Sequence, residues 1–184
     1  MASKDTKSQF STQLLRPTKP GDGEEWAFVI LPKEASAKLP RRGRTSVDGT
    51  LNGKAFRALL LEPDGQKSHW LRIDQALLDA SNLTPGDVAE FEIMAVEQEP
   101  EPVVPADLHE ALLASPESRA TWEATTTLAR VDWIHWVTSA KQAKTRAKRI
   151  HDACDKLASG EKRVCCFDPS GFYSKALSAP KAVD

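Results

Sequence analysis

The stretch WIHWVTSAKQAKTRAKRIHDACDKL, residues 133–157, is the most strongly patterned part of the chain. It opens with two tryptophans three residues apart and continues to Gly160 without a proline or another glycine. At 100° per residue, five small or apolar side chains fall on one arc, which is the spacing of a buried helix stripe: Ala143, Ala147, Ile150, Cys154 and Leu157. The sequence therefore predicts a helix over 141–159 that Gly160 ends.

Five cations lie between residues 141 and 149, mostly on the face opposite that stripe. No aspartate or glutamate occurs from 133 through 151, so this stretch lacks the i, i+4 ion pairs that are usual on a solvated face. The pattern leaves two interpretations open: a solvated helix face, or a positive patch that meets an anion. Two arginines one turn apart could hold a phosphate or carboxylate between them. The candidate binding residues are Lys141, Lys144, Arg146, Lys148 and Arg149.

An acidic, proline-rich segment, residues 98–105, precedes the helices and follows directly on Glu97. Its glutamates could fold back over the cations and form a structural clasp, which would weaken the binding hypothesis. The glutamates in question are Glu97, Glu99 and Glu101.

Composition limits the class of protein. The chain has 184 residues, 40% of them hydrophobic, which is typical of a folded globular protein and long enough for one domain or two small ones. The formal net charge of −1 favours no class of partner. No segment approaches the roughly twenty apolar residues of a membrane span, and none has the apolar core of a signal peptide. Three cysteines, two of them adjacent, make a poor disulfide framework, so we expect a soluble, cytoplasmic protein.

The first half of the chain consists of short strand-like runs separated by turn residues. Asn52-Gly53 between two such runs is typical of a tight hairpin turn. The run 25–31 is continuously apolar, which predicts a strand buried on both faces, and Phe10 with Leu14-Leu15 could add a first strand. Five or six short strands with little helix predict a small closed barrel. The main strand segments are 25–31, 44–51, 54–61, 68–73 and 88–96.

The predicted fold class is α+β, with a small N-terminal β-barrel followed by a C-terminal all-helical domain. The helical segments are 107–114, 116–126, 130–139 and 141–159, and Pro116 suits a first helical turn with Ser115 as the cap. The predicted organisation is a polar N-terminal segment 1–23, a barrel domain 24–98, a linker 99–105, a helical domain 106–161 and a tail 162–184, ordered to about 177.

Two groups of motifs carry a family resemblance. The helical part contains PADLHEAL, TWEA, WIHWVTSAKQAKTRAKRI and LASGEKR, and it resembles the YdeI-type, OmpD-associated family, also called bacteriocin-protection proteins. The first half contains WAFVILP, VDGTLNGKAFR and LTPGDV, and it resembles an uncharacterised small β-barrel domain often fused in front of that family; LTPGDV is also similar to AbrB-like barrels. The helical positions that match are Trp133, Ala140, Lys141, Thr145, Arg146, Arg149 and Ile150.

The resemblance implies a link to resistance against bacteriocins or antimicrobial peptides and no established catalytic activity. Where relatives tend to show Pro-Arg near the end of the barrel, this chain has Pro100-Glu101, which puts any role of that arginine in doubt.

The residues themselves indicate no catalytic site, cofactor or metal. G-x-S-x-G, P-loop and G-x-G-x-x-G motifs are absent, and His151 with Cys154 lacks a second ligand pair. Cys165-Cys166 is expected in a short apolar strand, with a thiol or metal role as the alternative. The five tryptophans are expected in the core, with stacking on bases as the alternative.

Three functional hypotheses follow. The leading one is a non-enzymatic binding protein whose cationic helix contacts an anionic partner, either nucleic acid or a small anion. The second is a small-molecule enzyme with a site between barrel and helices, using Lys141, Arg146 and an acid of shifted pKa. The third is an AbrB-like DNA-binding regulator with its basic surface on the barrel, around Arg41, Arg42 and Arg44. The sequence leaves the oligomeric state open.

Overall fold

The structure is a computed structural model that describes residues 5–164 and 179–183. The described chain divides into two compact units, one formed by residues 5–99 with 179–183 and the other by residues 100–164. The predicted strand around Cys165 and Cys166 and the predicted order of the tail to about 177 lie outside the described residues.

The first unit is built on a single six-stranded antiparallel sheet in the order β1-β6-β3-β4-β5-β2. Beyond β1, Leu15 exchanges two backbone hydrogen bonds of 2.8 and 2.9 Å with Phe28 of β2, so the two ends of the sheet meet. The prediction of a small barrel is confirmed, and it is nearly closed. The strands are β1 Ser8–Gln13, β2 Ala27–Ile30, β3 Thr45–Leu51, β4 Lys54–Pro63, β5 His69–Ile73 and β6 Val88–Ala95.

The first strand lies within the segment 1–23 that the sequence analysis set apart as polar. Ser8–Gln13 pairs with β6 along its whole length, and Phe10 stacks on Phe91 with ring centroids 5.3 Å apart. The suggestion that Phe10 and Leu14-Leu15 form a first strand is correct for Phe10, whereas Leu14 and Leu15 follow the end of β1. The barrel therefore starts well before residue 24.

The hairpin between β3 and β4 follows the local sequence signal. Asn52 and Gly53 both have positive φ, 47° and 81°, as the expected tight turn requires. Further along the pair, the register shifts between Val47 and Gly49. At this bulge Ala58 has a φ of 52°, and its backbone N–H donates to Asp48 Oδ1 at 2.8 Å. Bulges bend a strand and increase its twist, which helps a small sheet to curl.

Buried and exposed residues alternate along the strands of the barrel, because successive side chains of a strand point to opposite faces. In β6, Ala89, Phe91 and Ile93 are buried between exposed or half-buried neighbours. The prediction that β2 is buried on both faces is correct for Ala27–Val29 and wrong for Ile30, which is 39% exposed. Two short helices, α1 Lys33–Ala37 and α2 Gln75–Ala80, complete the unit.

The second unit consists of four helices packed around one apolar cluster, so the chain is α+β as predicted. The helices are α3 Ala106–Leu113, α4 Pro116–Ala124, α5 Thr127–Thr138 and α6 Ala143–Ala158. Trp133, Val137 and Leu157 are fully buried in this cluster. Gly160 closes α6 with a φ of 91°, and its N–H donates to the Leu157 carbonyl at 2.9 Å.

The predicted buried stripe of α6 is only partly correct. Ala143 and Ala147 are exposed, and the buried positions are Ile150, Ala153 and Leu157. An alanine has too little apolar area to decide which way a helix faces, so the larger side chains set the buried arc. As a result, the first two turns of α6 keep much of their surface exposed.

Candidate functional site

Three of the five candidate cations are lysines exposed to solvent at the start of α6. Lys144 and Lys148 are one turn apart on the helix, and Lys141 lies just before it. Within the described part of the chain, Lys141 and Lys144 have no hydrogen-bonded or ionic partner. Lys148 Nζ lies 2.8 Å from Asp152 Oδ2, although 75% of its side chain is exposed. We call Lys141, Lys144 and Lys148 the lysine stripe.

Arg146 points away from the lysine stripe and binds an acid on another helix. Its Nε and Nη2 donate to the two carboxylate oxygens of Asp107, at 2.7 and 3.0 Å. Asp107 stands in the first turn of α3, where the helix dipole also favours a negative charge. The hydrogen bond from Arg146 lowers the pKa of Asp107 below its ordinary range. This pair therefore links α3 to α6.

Arg149 binds the end of α5. Its Nη1 donates to the Trp136 carbonyl at 2.8 Å and to Ser139 Oγ at 3.4 Å. Its guanidinium carbon also lies 5.6 Å from the centre of the Trp136 ring, within the range of a cation–π interaction. The expectation that Arg146 and Arg149 hold one phosphate between them does not match this arrangement, because intramolecular groups occupy both guanidiniums.

The acidic linker does not supply the carboxylate that pairs with α6. Glu101 binds Arg130, with Nε to Oε2 at 3.1 Å, and it accepts a hydrogen bond from Thr127. Arg130 lowers the pKa of Glu101 below its usual range. Glu99 accepts a hydrogen bond of 2.9 Å from the backbone N–H of Ser46. Glu97, the third glutamate of the suggested clasp, is exposed. The carboxylate that pairs with Arg146 is instead Asp107, which sequence reasoning missed because nothing local indicates that α3 lies beside α6.

The tryptophans of the helical unit do not form a stacking surface. Trp122, Trp133 and Trp136 are all buried, and the rings of Trp133 and Trp136 meet edge to face at 6.2 Å. On the barrel, Trp26 is buried and Trp70 is half-buried. The prediction that these residues are mainly core is correct, and none of the five tryptophan rings is exposed for base stacking.

No constellation for metal chemistry appears in residues 5–164 and 179–183: no group of three or more His, Cys, Asp or Glu side chains converges. His151 Nε2 lies 3.3 Å from Asp155 Oδ2 on the surface of α6. Cys154 is half-buried, and burial raises the pKa of its thiol, which disfavours the reactive thiolate. Among the same residues, no helix has the length and apolarity to span a bilayer.

The basic surface expected on the barrel is smaller than the sequence predicts. Arg41 and Arg42 are exposed, but Arg44 is only 4% exposed and its Nε lies 3.1 Å from Glu62 Oε1. The buried guanidinium holds the edge of β3 to β4 and is not available to a DNA backbone. The hypothesis of an AbrB-like DNA-binding regulator therefore loses Arg44, one of the three arginines on which it rests.

The fold defines a protein of two parts, a small antiparallel barrel and a compact helical unit. Residues 101–160, which include all four helices of the second unit, match the family described as Bacteriocin-protection, YdeI or OmpD-Associated. Residues 10–93 match a family described as Domain of unknown function (DUF1905). No curated protein matches the chain.

These two matches confirm the resemblance of the helical part and the presence of a separate uncharacterised domain before it. Neither is a match to an AbrB-like family, so the AbrB-like label has no support here. The hypothesis of a small-molecule enzyme stays a prediction, as does the binding role of the five cations.

Proposed function

We propose that this protein binds a phosphate-rich anionic partner through the lysine stripe of α6. One observation carries the proposal: three exposed lysines stand together on a stretch that has no acidic residue from 133 through 151. Two of them have no partner within the described residues, and the third has only a surface pair with Asp152. Such exposed pairs contribute little, so Lys148 can exchange its partner at small cost.

The two arginines act as supports for this surface. Arg146 ties α6 to α3, and Arg149 ties α6 to the end of α5. Both contacts lie within one turn of Lys144 or Lys148, so the helix that presents the lysines is held from two sides. A binding surface held in place before the partner arrives loses less conformational freedom on binding.

The shape of the surface favours an extended polyanion. The lysines project from a convex helix whose intervening side chains include the exposed Ala143 and Ala147, and small organic anions generally need a concave site. A nucleic acid backbone repeats its phosphates along a line and is bound by exposed lysines without a pocket. We therefore propose nucleic acid as the partner and a free small anion as the alternative for this surface.

The biological setting proposed for this binding is protection against bacteriocins, after the description of the family that residues 101–160 match. Cells that express the wild-type chain should survive a bacteriocin challenge better than cells that express Lys141→Glu/Lys144→Glu at the same level. Equal survival of the two kinds of cell would show that the lysine stripe has no part in protection.

The direct test is fluorescence anisotropy with labelled DNA and RNA oligonucleotides, from low to physiological salt. Binding should weaken steeply with salt because each phosphate contact releases a counterion. The double variant Lys141→Glu/Lys144→Glu should lose it. Reversing Arg146 or Arg149 is a poor test, since those changes also break the contacts to Asp107 and Trp136.

The matched control is Lys162→Glu/Arg163→Glu, which makes the same change in net charge at two exposed residues beyond the other end of α6. It should keep most of the affinity. If neither oligonucleotide binds at low salt, or if both double variants lose affinity equally, the lysine stripe is not the contact surface.

A further inference from the structure

The barrel unit contains a cavity of about 480 Å³ that the lysine stripe does not involve. It lies between the loop that follows α1 and the turn that joins β4 to β5. Its walls combine apolar, hydroxyl and cationic groups, among them Leu39, Pro40, Ser36, Arg41, Arg42 and Lys67.

The charged side chains that line the cavity are all cationic. Arg41 and Arg42 come from the loop after α1, and Lys67 comes from the β4–β5 turn. All three are exposed, and none has an ionic or hydrogen-bonded partner within the part of the chain that the structure describes. Lys67 is held at a φ of 68°, a conformation in which a lysine is uncommon. Two separate loops thus bring three positive charges to one cavity.

The polar groups of the floor are ordered by hydrogen bonds among themselves. The Ser36 hydroxyl lies 2.6 Å from His69 Nδ1, and His69 Nε2 donates to the Gly43 carbonyl at 2.9 Å. With Nε2 as the donor, a neutral imidazole accepts at Nδ1 from the Ser36 hydroxyl. Burial lowers the pKa of His69, so the ring stays neutral and adds no charge to the cavity.

One acid beside the cavity, Asp64, belongs to the β4–β5 turn and acts on His69 through its charge. Asp64 is buried, and its Oδ1 accepts hydrogen bonds from the backbone N–H groups of Gln66, at 2.7 Å, and Ser68, at 2.9 Å. It supports the β4–β5 turn and does not line the cavity. One buried carboxylate offsets only part of the charge of Arg41, Arg42 and Lys67, so a net positive charge is left to solvent or to a ligand.

We infer that this cavity binds a small organic phosphate, with the phosphate at Arg41, Arg42 and Lys67 and the organic part against the apolar wall. Three cations match the charge of a phosphate monoester better than that of a single carboxylate, and arginine forks suit its tetrahedral oxygens. The wall formed by Leu39, Pro40 and Pro63 gives an organic group a surface that bare phosphate would leave unused. A volume of about 480 Å³ is in the ordinary range for a small-molecule site.

The experiment is isothermal titration calorimetry of the full chain with four probes: inorganic phosphate, AMP, glucose 6-phosphate and acetate. We expect AMP or glucose 6-phosphate to bind more tightly than inorganic phosphate, and acetate, a single carboxylate, to bind more weakly than either ester. Arg41→Glu/Arg42→Glu should reduce the affinity for the esters by about tenfold or more, as expected for the loss of charge-assisted hydrogen bonds.

The control is Lys54→Glu/Arg57→Glu, which changes net charge equally at two exposed β4 residues outside the cavity. It should keep the wild-type affinity. If the arginine variant fails to fold, Ala37→Trp fills the cavity from an exposed wall position and should block the esters by steric exclusion.

Two results would overturn the inference: no ester binds at millimolar concentration, or the control weakens binding as much as the arginine variant. Lys141→Glu/Lys144→Glu should leave ester binding intact, so failure here and failure of the proposed nucleic acid binding are separate outcomes.

Discussion

Arg146 near the start of α6 and Asp107 in the first turn of α3 form a two-point ion pair, although 39 residues separate them in sequence. The pair joins the N-terminal turns of two helices that would otherwise each present an isolated charge. It also anchors the first turns of α6, where Ala143 and Ala147 are exposed. The contact fixes the first turns of the helix by charge where apolar packing does not.

The Arg146–Asp107 pair should make the helical unit sensitive to acid. Because Arg146 lowers the pKa of Asp107 below its ordinary value of 3.8, the pair stabilises the fold above that value, and the contribution is lost as the pH falls through the folded-state pKa. Asp107→Asn should therefore lower the Tm at pH 7, and the difference from wild type should shrink toward pH 3. Glu110→Gln, at an exposed position of the same helix, is the control. A Tm difference that stays constant across this range would contradict the prediction.

His69 should make the barrel less stable in mild acid. Its pKa is lowered from the ordinary value of 6.5 by burial, so the unfolded chain takes up a proton first as the pH falls. The free energy of unfolding should be constant well above pH 6.5 and should decrease below it until the folded-state pKa is passed. Urea unfolding of wild type and His69→Gln at pH 8 and pH 5 measures this, and the variant should show a smaller pH dependence. His109→Gln, at an exposed site in the helical unit, should keep the wild-type profile.

Gly49 should not tolerate a side chain. A Cβ at this position would lie 1.9 Å from the Glu92 carbonyl oxygen on the neighbouring strand, and a backbone atom cannot move aside. Gly49→Ala should cost about 3 kcal/mol in the free energy of unfolding, the upper end for overpacking. Gly43→Ala is the matched control, since nothing lies within 4 Å of its Cβ position. Equal stability of the two variants in thermal unfolding would show that the strands at Gly49 can move apart to admit a methyl group.

Ala58 should be a site where glycine is favoured. Its φ of 52° costs an L-residue about 1 kcal/mol, which glycine avoids. Ala58→Gly should therefore be neutral or slightly stabilising. Ala55→Gly in the same strand should be destabilising, because there glycine only adds freedom to the unfolded chain. Chemical unfolding of both variants checks the order, and an Ala58→Gly variant less stable than Ala55→Gly would refute it.

Local signals predicted the parts of the fold that depend on neighbouring residues. Asn52-Gly53 indicated its hairpin, and Gly160 indicated the end of α6. These features depend on backbone φ and capping within a few residues, so a short window of sequence contains their physical cause.

The features that the sequence could not show depend on which elements become neighbours. The acid that meets Arg146 comes from α3, and the carbonyl that meets Arg149 comes from α5. Helix periodicity placed Ala147 in the buried arc because periodicity gives only the angle of a side chain around the helix. It does not show how far along the helix the neighbouring helices extend. The same limit applies to the barrel cavity, where Arg41, Arg42 and Lys67 converge from two loops.

The bridge between Leu15 and Phe28 has a consequence for how other molecules can meet the barrel. A sheet with an open edge can accept a further strand, and this is the route to peptide capture, strand exchange and aggregation. Here β2 has four residues, and Phe28 within it already gives both backbone groups to Leu15. The edge of β2 is therefore too short to pair with an added strand, and a molecule that binds there must be recognised by side chains. Substitutions of those side chains can change which molecule the barrel binds, while the strand pairing remains the same.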